Sequence, residues 1–253
     1  MIRLVRAEVR KVRSTRLWIG LGLGGLGLTG LATLLLLSLA NTDQGRLSGL
    51  HPVATAEDLR RLVFDAAGVL AFVLVLATTM ATSEFRYGTA VGTYLATPSR
   101  MRVITAKALS AAPIGFVYGA VAGLVVVLLA VGWLAVKGEP VPFGSPAMTG
   151  VAQVGLQGAY GAVLAVCFGA LVRSQLVAIL GLLGWLFLIE PLATAVQPAL
   201  TRWTPFAGVN GAFNSTTDPG VVLLGHLGAL ALAAAYVALL WAAAVWAERR
   251  RDA

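Results

Sequence analysis

Residues 17 to 39 read LWIGLGLGGLGLTGLATLLLLSL, twenty-three consecutive positions without a charged side chain. At about 1.5 Å of rise per residue, a helix of this length outreaches the ~30 Å hydrocarbon core of a bilayer. Apolar windows of similar length recur at about 62–82, 108–136, 147–172, 175–196 and 220–247. With 58% hydrophobic and 12% charged residues, the chain lies far from the composition of a soluble domain. The pattern is that of an all-α membrane protein with six transmembrane helices, residues 1–253 forming one transmembrane domain. The first run is longer than a signal-peptide core and has no small-residue cleavage site behind it, so it is expected to be retained as a span.

A net charge of +8 would suggest nucleic acid in a soluble chain, but here the positions of the charges matter more than their sum. With both ends of the chain in the cytoplasm, fourteen basic residues fall inside: six within residues 1–16, then Arg86, Arg100, Arg102, Lys107, Arg173, and Arg249 to Arg251. Five fall outside: Arg46, Arg60, Arg61, Lys137 and Arg202. The positive-inside rule selects this topology, and membrane lipids rather than nucleic acid become the expected partners of the basic residues.

Residues 1–16, MIRLVRAEVRKVRSTR, place Ile2, Val5, Val9 and Val12 at helical spacing with arginines on the other faces, predicting an amphipathic helix in the cytoplasmic interface. Gly20 and Gly24 form a GxxxG pair, equally suited to packing within one subunit and to dimerisation. Thr55 reads as a helix N-cap with Glu57 and Asp58 in the first turn, and Glu57 stands four residues from Arg61, a pairing distance. Pro113 predicts a kink near the inner end of the third span. Residues 137–146 make a Gly/Pro turn, and 197–219 an apolar outer segment expected to dip back into the membrane.

Sequence patterns for self-contained chemistry are missing. The chain has no GxxxxGK[ST] phosphate loop, no HExxH and no Gly-x-Ser-x-Gly, and Cys167 is a lone cysteine in an apolar span, suited to a structural role. His51 and His226 are the two histidines, too few for a metal site, so no catalytic and no metal-binding residue is expected. Within the membrane, a charge is costly and therefore a functional candidate. Glu190 and His226 both fall at outer-leaflet depth, where they either pair along a substrate path or, for Glu190, cap a helix beginning at Pro191. Gln153, Gln157 and Tyr160 share one face of the fourth span, as helix-joining groups or as path lining.

The longest inner loop, within 83–104, is too short for a domain and is expected to meet a partner or to connect two spans. Its Glu84-Phe85-Arg86-Tyr87-Gly88-Thr89, followed by Ala96-Thr97-Pro98-Ser99-Arg100 and Lys107, resembles the Glu, Arg and Gly-Thr pattern of ABC-2 type transporter permeases. AEVRKVRSTRLW near the start is similar to their leader, and Glu190-Pro191 and Pro205-Phe206-Ala207-Gly208-Val209-Asn210 are similar to their later features; Tyr87 stands where His is more common. The resemblance implies the permease subunit of a bacterial ABC exporter, working as a homodimer or with a related permease. Each copy would rest on a separate ABC ATPase subunit that carries ATP and Mg. It also implies that the loop forms a coupling helix docked on that ATPase, with Glu84, Arg86, Gly88 and Thr89 as coupling residues. Alternatives from other classes are a non-transporting membrane anchor or assembly protein, and an ion-coupled secondary transporter. The sparse charge inside the spans leans towards an amphipathic or hydrophobic substrate. Sixteen Arg against three Lys suit a high-GC bacterial source and its plasma membrane.

Overall fold

The computed structural model of the chain describes residues 1–40, 42, 52–66, 68–89, 95, 99–142, 144–213 and 223–250. Every regular element among these is helical. In chain order they are α1 (Ile2–Ser14), α2 (Leu17–Leu39), α3 (Ala56–Ala66), α4 (Leu70–Arg86), α5 (Arg100–Lys137), α6 (Ser145–Val172) and α7 (Gln175–Gly184). One π-helical turn, Trp185–Ile189, leads from α7 into α8 (Glu190–Val196); a 3₁₀ turn (Pro198–Trp203), α9 (Asn210–Phe213) and α10 (His226–Arg250) follow. Five units are long and apolar enough to cross a membrane: α2, α5, α6, the Gln175–Val196 unit and His226–Glu248 of α10. The chain is a multi-pass membrane protein.

The expected second span, 62–82, is not one helix. It is divided into α3 and α4 around a turn at Gly68 and Val69, and α4 with its seventeen residues falls short of the other spans. The two pieces nevertheless accompany α6 in parallel along most of its length. Gly150 lies against Arg60 and Val63, Gly161 against Leu70 and Leu74, and Gly169 against Ala81 and Thr82. The third span is longer than 108–136, because α5 already begins at Arg100 and runs through Pro113 without interruption. At the other boundary, α4 continues to Arg86, so the region expected as loop 83–104 contains two helix ends. Most of 90–98 lies outside the described residues, as do His51 and 214–219 of the outer segment.

Helix α1 is amphipathic as its spacing predicts, but its half-buried valines, Val5, Val9 and Val12, turn towards the bundle, and Val12 joins the main core. The arginines occupy the opposite, exposed side. Ser14 and Thr15 hydroxyls donate back to the carbonyls of Lys11 and Val12, ending α1 before α2 starts.

Helix α6 is the most enclosed of the spans, whereas α2 and the Gln175–Val196 unit leave most of their surface open. The tightest contact is between α5 and α6, which run antiparallel. Gly115, Gly119 and Gly123, spaced by four, face Gly158, Val154 and Val151. A Cβ at Gly115 or Gly119 would stand 2.3 Å from the carbonyl oxygen of Gly158 or Val154, and one at Gly158 would stand 2.3 Å from that of Gly115. Small residues let two backbones approach and replace the hydrophobic drive that lipid does not supply. In the GxxxG pair of α2, Gly24 packs within the subunit against the Phe72 ring, and Gly20 faces open space.

Gly119→Leu should destabilise the chain by about 3 kcal/mol, because the Val154 backbone has no flexible end to yield. Gly20→Ala, with nothing within 4 Å of its added carbon, should change little. Thermal unfolding of both variants in detergent micelles measures the difference.

Candidate functional site

Hydrogen bonds and ion pairs gather the basic parts of the sequence at one end of the bundle: α1, the C-terminal end of α4, the first turns of α5, the α6–α7 junction and the C-terminal end of α10. Glu84 lies on the buried face of α4 one turn beyond Met80 and Ala81, and Lys107 on the buried face of α5 between Ala106 and Ala108. From α1 come Glu8 and Lys11. Lys107 Nζ is 3.0 Å from Glu8 Oε2 and 3.3 Å from Glu84 Oε1; Lys11 Nζ is 2.7 Å from Glu8 Oε1 and also pairs with Glu84 Oε1. Each ammonium touches both carboxylates, and Lys107 also donates to the Met80 carbonyl at 3.3 Å. The four charges sum to zero, which is what allows three of the four side chains to be buried.

Burial pushes the Glu84 carboxyl up, but Lys107 and Lys11 outweigh it and hold the group below the ordinary carboxylate range. Burial likewise lowers Lys11, yet its bonds to Glu8 and Glu84 raise it overall.

Directly beyond Glu84 the helix stops. Gly88 adopts φ +68°, its N–H donates to the Phe85 carbonyl at 3.4 Å, and the Thr89 N–H donates to the Glu84 carbonyl at 2.9 Å. These two bonds form a Schellman cap, whose C′ position needs the left-handed conformation that glycine adopts without a Cβ penalty. Arg86, Tyr87, Gly88 and Thr89 are exposed. Arg86 Nη1 donates to Gln175 Oε1 at 3.1 Å, and Gln175 Nε2 to Thr79 Oγ1 at 3.2 Å, tying the tip to the start of α7. Of the four residues singled out in the loop, Glu84 is therefore an internal anchor, and the other three form the exposed tip that it carries.

A third buried acid closes the same end. Glu248 of α10 accepts from Arg173 Nε at 2.9 Å and from Arg100 Nη1 at 3.2 Å, joining three elements. Arg173 occupies the left-handed cap of α6 at φ 59° and covers the Phe85 ring at 5.0 Å. Glu248 carries no motif, and Glu8 and Lys11, although they lie within the AEVRKVRSTRLW stretch, have no pattern there that points to a site. The available signal was that Glu8 is the single acid in an otherwise basic helix.

Towards the opposite end, Glu190 is buried and accepts three bonds: from Phe206 N–H at 2.9 Å, Ala207 N–H at 2.7 Å and Trp185 Nε1 at 3.0 Å. It caps the turn at 206–207 rather than a helix beginning at Pro191, where α8 simply continues from the π turn. Gln157 Nε2 donates to Asn210 Oδ1 at 2.9 Å and Tyr160 Oη to the Pro205 carbonyl at 2.9 Å. Gln157 and Tyr160 stand twelve and fifteen residues into α6, roughly 18 and 22 Å along it, so the segment around 205–210 reaches well inside the bundle. Irregular backbone at that depth has no water to bond, and Glu190 with α6 supplies its partners. His226 is exposed; its Nδ1 lies 3.3 Å from the Ala212 carbonyl, and it makes no bond with Glu190. Gln153 accepts from the buried Arg60 at 2.9 Å, and Arg60, not Arg61, pairs with Glu57. Thr55 Oγ1 accepts from Asp58 N–H at 3.2 Å as the N-cap of α3, and Asp58 accepts from Thr55 N–H at 2.8 Å in return. Among the described residues, no group of three His, Cys, Asp or Glu side chains could hold a metal ion.

Comparison with protein-family models, with curated proteins and with solved structures finds no match to this chain.

The charge cluster should hold α1 over a defined pH range. Glu84 binds its proton less readily when folded, so its contribution is complete above about pH 5 and fades as the pH falls through its folded value. Lys11 holds its proton more tightly when folded, so its contribution is complete below about pH 10 and fades above. A spin-label distance between positions Arg6 and Arg102 should stay narrow from about pH 5 to 9 and broaden outside that range. At the other end, Glu190→Ala should accelerate hydrogen exchange at the Phe206 and Ala207 amides while leaving α5 and α6 protected, since the variant removes the acceptor of both amides.

Proposed function

We propose that this chain is the permease subunit of an ATP-driven exporter of the ABC-2 type, paired with a second permease copy in a bacterial plasma membrane. Each copy would serve a separate ATPase chain that binds ATP and Mg. The supporting observation is the exposed tip Arg86 to Thr89, carried on a helix end that buried charges fasten to α1 and α5. A force applied at a free loop would be lost in bending. Applied at this tip, it passes through the Glu84 pairs into α1 and α5, and through Arg86 to α7, so four elements move together. Partner recognition at such a water-exposed rim suits Arg86, with its neighbouring Tyr87 ring at 5.6 Å, and the Gly88-Thr89 backbone.

In this topology the charged end faces the cytoplasm, as the excess of Lys and Arg there favours. Six crossings result when α3 and α4 are taken as one crossing in two pieces. Gln153, Gln157 and Glu190 brace the half facing outward, and an amphipathic or hydrophobic cargo would travel between the two permease copies rather than through one. ATP-driven approach of the ATPases would push the two tips and alternate the dimer between inward and outward access.

The test uses the ATPase with a phosphate loop encoded nearest to this chain, coexpressed with it. Arg86→Ala combined with Tyr87→Ala, both exposed, should lower co-purification of the ATPase or lower substrate-stimulated hydrolysis by about tenfold, the loss of roughly 1.4 kcal/mol of coupling. Unchanged association together with unchanged stimulation would contradict the proposal.

A further inference from the structure

Between α2 and α5, at the charged end, lies a groove of ≈230 Å³ lined by Trp18, Gly22 and Leu26 on one side and Val117, Tyr118 and Val121 on the other. Its floor exists because residue 22 is glycine: a Cβ there would come within 3.3 Å of Tyr118 Oη. That hydroxyl is already engaged, donating to the Trp18 carbonyl. The groove therefore offers a guest an almost wholly apolar surface, which suits an alkyl chain. At about 30 Å³ for a water-sized group, its volume takes on the order of eight such groups.

The chain that leads into the groove is cationic. Arg16 precedes Trp18 by two residues and is exposed at the start of α2, where the N–H groups of a first helical turn also attract an anion. Arg3, Arg6, Arg10 and Arg13 follow one another at steps of three and four, which sets them on a single exposed face of α1, away from the side where Glu8 meets Lys107. Among the described residues, none of these five arginines forms an ion pair with a carboxylate. An apolar slot that begins two residues after Arg16, at the end of an arginine-faced helix, suits a lipid with an anionic head.

We propose that the α2–α5 groove holds one acyl chain of an anionic phospholipid whose phosphate is bound by Arg16 and the arginine face of α1. The site belongs to the leaflet at the charged end of the bundle, and it rests on the multi-pass membrane character of the chain, not on the exporter function. Bound lipid would hold the α1–α2 junction from its outer side while the Glu8 to Lys107 pair holds α1 from within.

Native mass spectrometry of the full chain, released from micelles containing equimolar phosphatidylglycerol and phosphatidylcholine, tests it. Wild type should retain one phosphatidylglycerol with about tenfold preference, and Arg16→Gln should reduce the preference about fivefold. Gly22→Leu should abolish retention of that lipid by filling the groove. Val121→Trp, on the opposite wall, should do the same and serves where Gly22→Leu fails to fold, as judged by thermal unfolding. Glycerol phosphate, with the head but no chain, should not be retained. Equal retention of the two lipids by wild type, undiminished retention in a folded filled-groove variant, or a cross-link from Val121 to a second copy of the chain would overturn the proposal.

Discussion

Two ammonium groups set between two carboxylates hold the charged end of this protein together. An isolated buried charge would cost several kcal/mol, and Glu8, Glu84 and Lys107 are each tolerated because the others are present. The constraint is mutual: if α1 leaves, Lys107 loses Glu8 and Glu84 loses Lys11, and if the tip of α4 swings away, Lys11 and Lys107 are left to share the single carboxylate of Glu8. Glu248 imposes the same condition on α10, α5 and the α6 cap through Arg100 and Arg173. Five elements that are distant in sequence therefore share one fixed platform, and the exposed residues 86–89 project from it.

Away from that platform, order comes from close approach and from satisfying backbone polarity. The glycines of α5 and α6 bring carbonyl oxygens and Cα atoms into direct contact, which fixes the register of the two best-buried spans. The segment 198–213 turns inward without forming a long helix, and Glu190, Gln157 and Tyr160 meet the polar groups it exposes. Glu190 is a charged residue inside a span and would ordinarily mark a transport path. Its three donors give it a structural use, as an acceptor for backbone that lipid cannot bond.

Helical class and most spans were legible from hydropathy, because length and apolar content determine them locally. The cap at Thr55 was also readable, since it depends on a few neighbouring residues, whereas the helix that runs on to Arg86 and stops at Gly88 lay within the expected loop. Gly115, Gly119 and Gly123 have a clear small-residue spacing in the sequence, but only the facing Gly158, Val154 and Val151 show what they pack against. The break at Gly68 was hidden by its apolar flanks, which keep the hydropathy of a single span. Least legible were the ion pairs. Glu84 and Lys107 are twenty-three residues apart, and Glu8 and Lys107 are separated by almost a hundred, so no local pattern connects them. Exposed position and partner in the Glu84 to Thr89 block could not be separated by residue type alone: a glutamate at a loop suggests a docking contact until its neighbours in space are known.

The most direct measurement is a double-mutant cycle on Glu84→Gln and Lys107→Met, read by reversible unfolding of the full chain in detergent. If the four charges act as one unit, the two losses should be strongly non-additive, with a coupling energy of about 1 to 3 kcal/mol. Losses that add within about 0.5 kcal/mol would mean that the two side chains act independently and that the tip is not fastened in this way.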